Sequence, residues 1–425
     1  MELLPNLGAE EGDDWRAFLH QPHARVAARL WSHLFSRDSR FRYPAASPKS
    51  SWQSESCDEG WPAALGPLPD QPVFQWLEES DRPSAWLNTL SLEDAARRAL
   101  GRPLSGPPAD RVAAIHDKAF SVEAASELGL VPRALEPLIQ VLDAETLRNP
   151  DEMVERLDAW LRDWPEWTGG RFTLKPRLGS SGRGRVAGRG SADTQSVRGA
   201  LSRLAERGGA IFEPWLERRT DLSVVLYVPP AVSPEPLPTL IGSLEMLATA
   251  SGVFRGHCGE VDSRGRIFSG HREDETLRAD AAAVARRARD RGFFGPCGID
   301  AFSYLEGDRV KGDRETEAGR ERLRCLVEFN ARTTMGLVTI GLVRRALPRV
   351  RDALELEPGE RRGFLMGFGR PGTGRDDARS IESCCPGACC IDLGSVGGKS
   401  DPQPFLLFAR DKARLRRAHL EILGC

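Results

Sequence analysis

Lysine is scarce in this chain of 425 residues: six (Lys49, Lys118, Lys175, Lys311, Lys399 and Lys412) stand beside 53 arginines. Where arginine is the default cation, a lysine marks a place that wants a compact, flexible point charge. Lys118 and Lys175 both fall in runs that fit such a need. Asparagine is as rare, at four, and Asn330 is one of them. Seven histidines leave little imidazole for general acid–base chemistry. No excess of either charge exists, with 59 basic against 61 acidic residues and a net charge of -2. Such a balance argues against nucleic acid or an anionic membrane as the main partner. No window approaches the ~20 apolar residues of a spanning helix, and the longest candidate, from Leu222 onward, is broken by Pro229, Pro230, Pro234 and Pro236. The start, Met1-Glu2-Leu3-Leu4-Pro5, lacks the basic beginning and apolar core of a secretory signal. The expectation is a soluble, cytoplasmic protein with no nucleic-acid or membrane partner. Internal repeats and the strict P-loop pattern are also missing.

What is present centres on Arg324-Cys325-Leu326-Val327-Glu328-Phe329-Asn330-Ala331-Arg332. Its period-two alternation predicts a strand with Glu328 and Asn330 on one face. A carboxylate and an amide oxygen so placed suit a hard cation that also holds phosphate oxygens. Upstream, Phe172-Thr173-Leu174-Lys175-Pro176 reads as a strand ending in lysine, and Arg177-Leu178-Gly179-Ser180-Ser181-Gly182-Arg183-Gly184-Arg185 as a glycine-serine loop. Each feature alone has a plainer reading, a solvent-facing strand or an ordinary strand-to-turn junction. Their combination points to a nucleotide site. Helices are expected from Ser121 to Gly129, from Pro150, around Val197–Leu204 and over Glu275–Arg291, with strands at 210–213, 222–228, 238–247 and 298–302. Helical patches are expected around 15–35 and 92–100. Many strands with few βαβ units argue for an α+β fold.

Two other motifs carry less. Cys384, Cys385, Cys389 and Cys390 cluster around a Pro-Gly turn, yet their spacing is not that of paired zinc ligands, and their role stays open. Gly367-Phe368-Gly369-Arg370-Pro371-Gly372 matches a dinucleotide fingerprint, but Pro371 leaves no room for the helix that must face the pyrophosphate. A surface turn is the expectation there. Arg183, Arg185 and Arg189 fit a nucleotide loop better than a nucleic-acid arm.

In order, these segments over roughly residues 111–340 resemble the ATP-grasp superfamily, of the carboxylate–amine ligase type similar to D-alanine–D-alanine ligase and dipeptide ligases. The resemblance implies two α+β subdomains sandwiching ATP, preceded by an N-terminal pre-ATP-grasp-like domain at 1–115. The ATP-grasp domain would span 116–345, with a small lid at about 165–230, and 346–425 would complete it. Asp117-Lys118-Ala119 looks like the entry segment, whose lysine reaches the nucleotide phosphates. Lys175 would meet the α-phosphate, and the amides of Ser180, Ser181 and Gly182 would close over the β- and γ-phosphates, where glycine lets bare N–H groups approach. Ile211-Phe212-Glu213-Pro214-Trp215-Leu216 is similar to the hinge that reads adenine, with Glu213 accepting from the amino group and main chain near Leu216 on the ring edge. Asp221 matches the residue on the ribose hydroxyls. Asp300, Glu328 and Asn330 match the ligands of two magnesium ions, with manganese as an alternative. Some ligases place arginine where this chain has Gly298, so Arg332 takes the acyl-phosphate-stabilising role, with Arg255 a second candidate.

The function so implied is ATP-dependent joining of a small-molecule carboxylate to an amine, amino acid or peptide, through an acyl phosphate. The alternatives are an ATP-grasp kinase acting on a hydroxyl and a non-catalytic nucleotide-binding module. Substrate identity and oligomeric state, dimer included, stay open.

Overall fold

Short alternating runs at the N-terminus make the first sheet. The computed structural model describes residues 1–11, 21–43, 53–57, 65, 68–77, 82–179, 183–232, 237–249, 253–306, 320–370, 374–394 and 402–423. Strands β1 (Glu2–Leu4), β2 (Arg40–Tyr43), β3 (Gln53–Ser56) and β4 (Ser84–Ala85) form a sheet in the order β3-β2-β1-β4. The helix Pro22–Ser32 has proline in its first turn, where no N–H is needed, and buries Val26, Leu30 and Trp31. The helical stretch expected from Trp15 lies outside the described residues as far as 20. The chain divides into two units, one of Met1–Ala113, Ser223–Gly298 and Asn330–Cys425, the other of Ala114–Leu222 and Ile299–Phe329.

The second unit is built on an antiparallel sheet in the order β5-β8-β6-β7. Its strands are β5 (Gln140–Asp143), β6 (Arg171–Pro176), β7 (Val186–Arg189) and β8 (Gly209–Pro214). Asn149 caps the helix Pro150–Asp163 through Glu152 N, and Thr194 caps the helix Gln195–Glu206 through Val197 N. Their apolar stripes (Met153, Val154, Leu157, Leu161; Val197, Leu201, Leu204) pack on Phe172, Leu174 and Phe212, with Trp160 and Trp164 at the edge. β8 starts at Gly209, at φ +121, where a Cβ would stand 2.2 Å from Leu142 O. Only glycine lets β5 and β8 meet there.

Among the described residues nine further strands follow: β9 (Arg218–Val228), β10 (Thr239–Ala248), β11 (Phe254–Asp262), β12 (Ile267–Phe268), β13 (Gly295–Glu306), β14 (Arg320–Asn330), β15 (Arg361–Gly369), β16 (Cys389–Asp392) and β17 (Gln403–Ala409). Within the first unit the order is β9-β10-β12-β11-β15-β17-β16; within the second, β14 lies beside β13 and β13 beside β9. The helix Asp274–Asp290 faces Leu277, Ala281, Val284 and Ala288 inward, as its periodicity requires. The described residues are thus an α+β structure of several sheets.

One expectation is corrected. Gly367 and Gly369 are not in a surface turn but in β15, paired with β11 and β17. A Cβ on Gly367 would sit 2.8 Å from the Phe405 ring, so the glycine there serves close packing. On β10, Glu245 is buried and held by Lys412 Nζ at 2.7 Å and by Arg416, both on the helix Lys412–Leu423. No helix among the described residues is long and apolar enough to cross a membrane.

Phe212 is fully buried and ringed by Trp164 (5.0 Å between centroids), Phe172 (5.6 Å) and Trp160 (5.9 Å). Phe212→Ala is expected to destabilise the second unit by about 3–5 kcal/mol. Urea unfolding followed by tryptophan fluorescence measures this, and a change below about 1 kcal/mol would contradict the closed core.

Candidate nucleotide and metal site

The site residues of the second unit are drawn together by a chain of polar contacts. Asp117 caps the helix Lys118–Glu127, its Oδ1 accepting from Ala119 N at 2.8 Å. The same carboxylate receives Arg177, whose Nη2 donates to Oδ2 at 2.6 Å, and Lys118 N donates to Arg177 O. The entry segment is thereby stapled to the end of β6. Lys118, 6% exposed, donates from Nζ to Gly179 O at 2.8 Å and pairs with Glu328 Oε1 at 3.2 Å. Phe329 N donates to Ser121 Oγ at 2.9 Å, so β14 is fixed against that helix at Glu328 and at the residue after it.

β6 and β8 supply a second group. Thr173 is opposite Glu213 in the antiparallel register, which puts Lys175 on the diagonal of the same face. Lys175 Nζ stands 2.5 Å from Glu213 Oε1, and Arg324 Nη2 donates to Glu213 Oε2 at 2.7 Å. Arg324 and Glu213 are both buried. Arg324 shares strand parity with Glu328, and its guanidinium lies 5.7 Å from the Phe302 ring centroid. Phe302 shares parity with Asp300, so Asp300, Arg324 and Glu328 face the same way on neighbouring strands. The side of this group is closed by Leu135, Leu138, Leu216, Phe302 and Tyr304.

Burial and charge set the protonation. Burial lowers the Lys175 ammonium to about 8, with Glu213 opposing and Arg324 and Lys118 adding to the fall. Burial alone would raise Glu213, but Arg324 and then Lys175 outweigh it and hold the carboxyl at about 2. Glu328 is likewise held below the usual range against burial, by Lys118, then His116 and Lys175. Lys118 and Lys175 therefore act on one carboxylate.

Asp221, on β9, is paired with Arg218 Nη1 at 2.8 Å. Asn330 is buried at the end of β14 and belongs to the first unit. Arg332, also in the first unit, lies 2.6 Å from Glu10 Oε1 through Nε and donates from Nη1 to Thr333 O at 2.9 Å. Arg255 is exposed on β11; burial, and then its charge, lowers the imidazole of His419 on the C-terminal helix to about 4. Ser180, Ser181 and Gly182 lie outside the described residues. Of the four clustered cysteines, Cys385 is buried, Cys384 exposed and the other two half-buried, all as free thiols. Burial raises the thiols of Cys385, Cys389 and Cys390, the last to about 12. Among the described residues no group of three or more His, Cys, Asp or Glu is placed to hold a metal.

Sequence reasoning missed Arg324 and the Asp117–Arg177 staple. The first was legible, since Arg324 stands at the same parity as Glu328 and Asn330; the second has no local signal.

The Lys175–Glu213–Arg324 triad has a pH signature. Glu213, at about 2 against an ordinary 4.5, contributes stability that is present above pH 4.5 and lost as pH falls towards 2. Lys175, at about 8 against 10.5, has the unfolded chain binding the extra proton between those values, so its contribution rises with pH there. Glu213→Gln is expected to destabilise the chain by about 3–5 kcal/mol at pH 7, because two buried cations lose their partner. It should also flatten the acid-side slope. Urea unfolding at intervals from pH 2 to 7 checks both, and a variant with the wild-type slope below pH 4.5 would remove the triad as its source.

No protein-family model and no curated protein sequence matches the chain. Solved structures do. Biotin carboxylase from Campylobacter jejuni, in a β,γ-ATP complex, is similar at 12% identity and a TM-score of 0.50, over 100% of this chain and 90% of that one. Pyruvate carboxylase from Rhizobium etli gives 12% identity and a TM-score of 0.50, over 98% of this chain and 37% of that one. N5-carboxyaminoimidazole ribonucleotide synthetase from Thermus thermophilus gives 15% identity and a TM-score of 0.49, over 100% and 97%. Matched over its whole length by biotin carboxylase, the chain has the ATP-grasp fold.

Proposed function

We propose that the chain is an ATP-dependent ligase that joins a carboxylate to an amine through an acyl phosphate. The observation that carries this is the convergence of Lys118 on Glu328 at 3.2 Å, with Lys175 acting on the same carboxylate. Two buried ammonium groups beside strand-borne carboxylates make a field of alternating charge that suits a polyphosphate. In the absence of nucleotide that field is self-neutralised. A polyphosphate brings its own negative charge, so Lys118 exchanges Glu328 for phosphate oxygens and Glu328 is released for a cation.

Each residue then has a task. Lys118 and Lys175 hold phosphates, and the amides of Ser180, Ser181 and Gly182 cover them. Glu213 accepts from the adenine amino group; Lys175 and Arg324 each take one contact on it, and a carboxylate has about four acceptor sites. Main chain at Leu216 meets the ring edge and Asp221 the ribose. Asp300, Glu328 and Asn330 offer only hard oxygen donors, which fits magnesium and not a thiolate-loving metal. Magnesium, when bound, neutralises charge on the β- and γ-oxygens. The substrate carboxylate oxygen attacks the γ-phosphorus and ADP leaves; the amine nitrogen then attacks the acyl carbon, phosphate leaves, and the amine gives up a proton. Arg332, with a side chain only 13% exposed, steadies the acyl-phosphate oxygen better than the exposed Arg255. Residues 1–115 and 346–425 would shape the substrate side.

An ADP-release screen of acids and amines, alone and in pairs, is expected to find a pair-dependent signal and, with hydroxylamine, an acyl hydroxamate. A stable phosphorylated hydroxyl product would make it a kinase, and bound ATP with no ADP from any pair a binding module. Glu328→Gln is expected to cut ADP formation by at least about 100-fold with circular dichroism unchanged; full turnover in that variant refutes the metal assignment.

A further inference from the structure

The first unit holds a cavity of about 410 Å³, within the range of small-molecule sites. Its lining is dominated by rings, among them Trp76, Trp86, Tyr227 and Phe293. Trp76 stacks on Tyr227 with centroids 4.5 Å apart and planes 16° apart, and Phe74 stacks on Trp76 at 5.5 Å. Trp86 is fixed edge-on by Trp31 at 5.6 Å. The platform is rigid before any ligand arrives, and Trp76 and Tyr227 remain only half-buried. Stacked rings left partly open offer a planar apolar group a face that an aliphatic chain uses less well.

The charged side chains of the described lining are Arg82 and Arg332, and that lining includes no Asp or Glu; Glu10, outside it, pairs with Arg332. A cationic ligand would find no carboxylate among the described lining side chains, whereas an anion finds guanidinium donors there. Arg332 is suited to it. Its Nε lies 2.6 Å from Glu10 yet makes no aligned hydrogen bond, although it is buried. Among the described residues, Nη1 to Thr333 O is the one aligned donation from a group with five N–H donors. A planar carboxylate matches the remaining fork.

We infer that this cavity takes the carboxylate substrate and that this substrate carries an aromatic ring, with Trp76 and Tyr227 stacking on the ring and Arg332 holding the carboxylate. The assignment rests on the ligase reading for the word substrate, but the binding itself does not.

Calorimetric titration without ATP separates the two. The probes are indole-3-acetate and phenylacetate, against acetate and tryptamine. The aromatic acids are expected to bind at least ten-fold more tightly than either control, and Trp76→Leu and Arg332→Gln each to weaken them by about ten-fold or more. Unchanged unfolding midpoints in both variants confirm that the fold is kept, and Tyr227→Leu repeats the ring test should Trp76→Leu unfold. Acetate or tryptamine binding as tightly as indole-3-acetate overturns the inference, as does an aromatic acid indifferent to loss of both rings. In the ADP-release assay, turnover confined to aliphatic acids overturns the substrate assignment and leaves the ligase reading standing. Aromatic acids that bind, with no ADP from any acid–amine pair, leave the cavity assignment standing and sink the ligase reading.

Discussion

Burying an ammonium group is tolerable only where a carboxylate or carbonyl receives it, and the second unit is organised by that constraint. Lys118 and Lys175 are both largely removed from water, and each is met by one glutamate. Glu213 in turn is also met by Arg324, and the two cations together outweigh the desolvation of its buried carboxyl. The helix cap at Asp117, the staple to Arg177 and the Ser121 hydrogen bond to Phe329 all serve to keep these partners in register. Removing a single member leaves a charge with nowhere to go.

How much of this was legible follows from the range of the signal. Period two in the Glu328 run, the proline that opens the helix Pro150–Asp163, and the lysine near the end of β6 are local, and each produced the element expected. The ATP-grasp fold followed from the order of such pieces. What stayed hidden was contact made across long stretches of chain. Arg177 meets Asp117 although neither run alone announces a partner. Gly367 looked like a turn because glycine pairs usually mark one; Phe405, which needs the missing Cβ, comes from another strand. The aromatic cavity was invisible for the same reason, since Trp76, Trp86, Tyr227 and Phe293 are distributed over three stretches of chain.

The arginine-rich composition has a physical counterpart in packing. Guanidinium planes lie over rings throughout: Arg361 at 3.6 Å from Phe268, Arg185 at 4.1 Å and Arg218 at 4.8 Å from Trp215, and Arg218 again at 4.5 Å from Phe302. A flat, weakly hydrated cation can be used as a wall in this way, whereas an ammonium cannot. Trp215 sits in the stretch proposed to read the base, so arginines from the end of the glycine loop and from β9 converge on it. Lysine is kept for places such as position 118, where one carbonyl and one carboxylate leave no room for five donors.

The grip of Lys412 and Arg416 on Glu245 sets an order for assembly on the ribosome. Glu245 and Arg416 are 171 positions apart, and at ~5–20 residues per second the partners emerge roughly 10–30 s after the carboxylate does. Through that interval β10 carries an uncompensated negative charge at a position destined to be dry. The sheet of the first unit therefore cannot close until Lys412 and Arg416 have been made, whereas the β5-β8-β6-β7 sheet and its two covering helices, all made from one continuous stretch, can. The nascent chain is thus expected to offer the strands that carry Lys175 and Glu213 in finished form before the sheet that holds Glu245 exists.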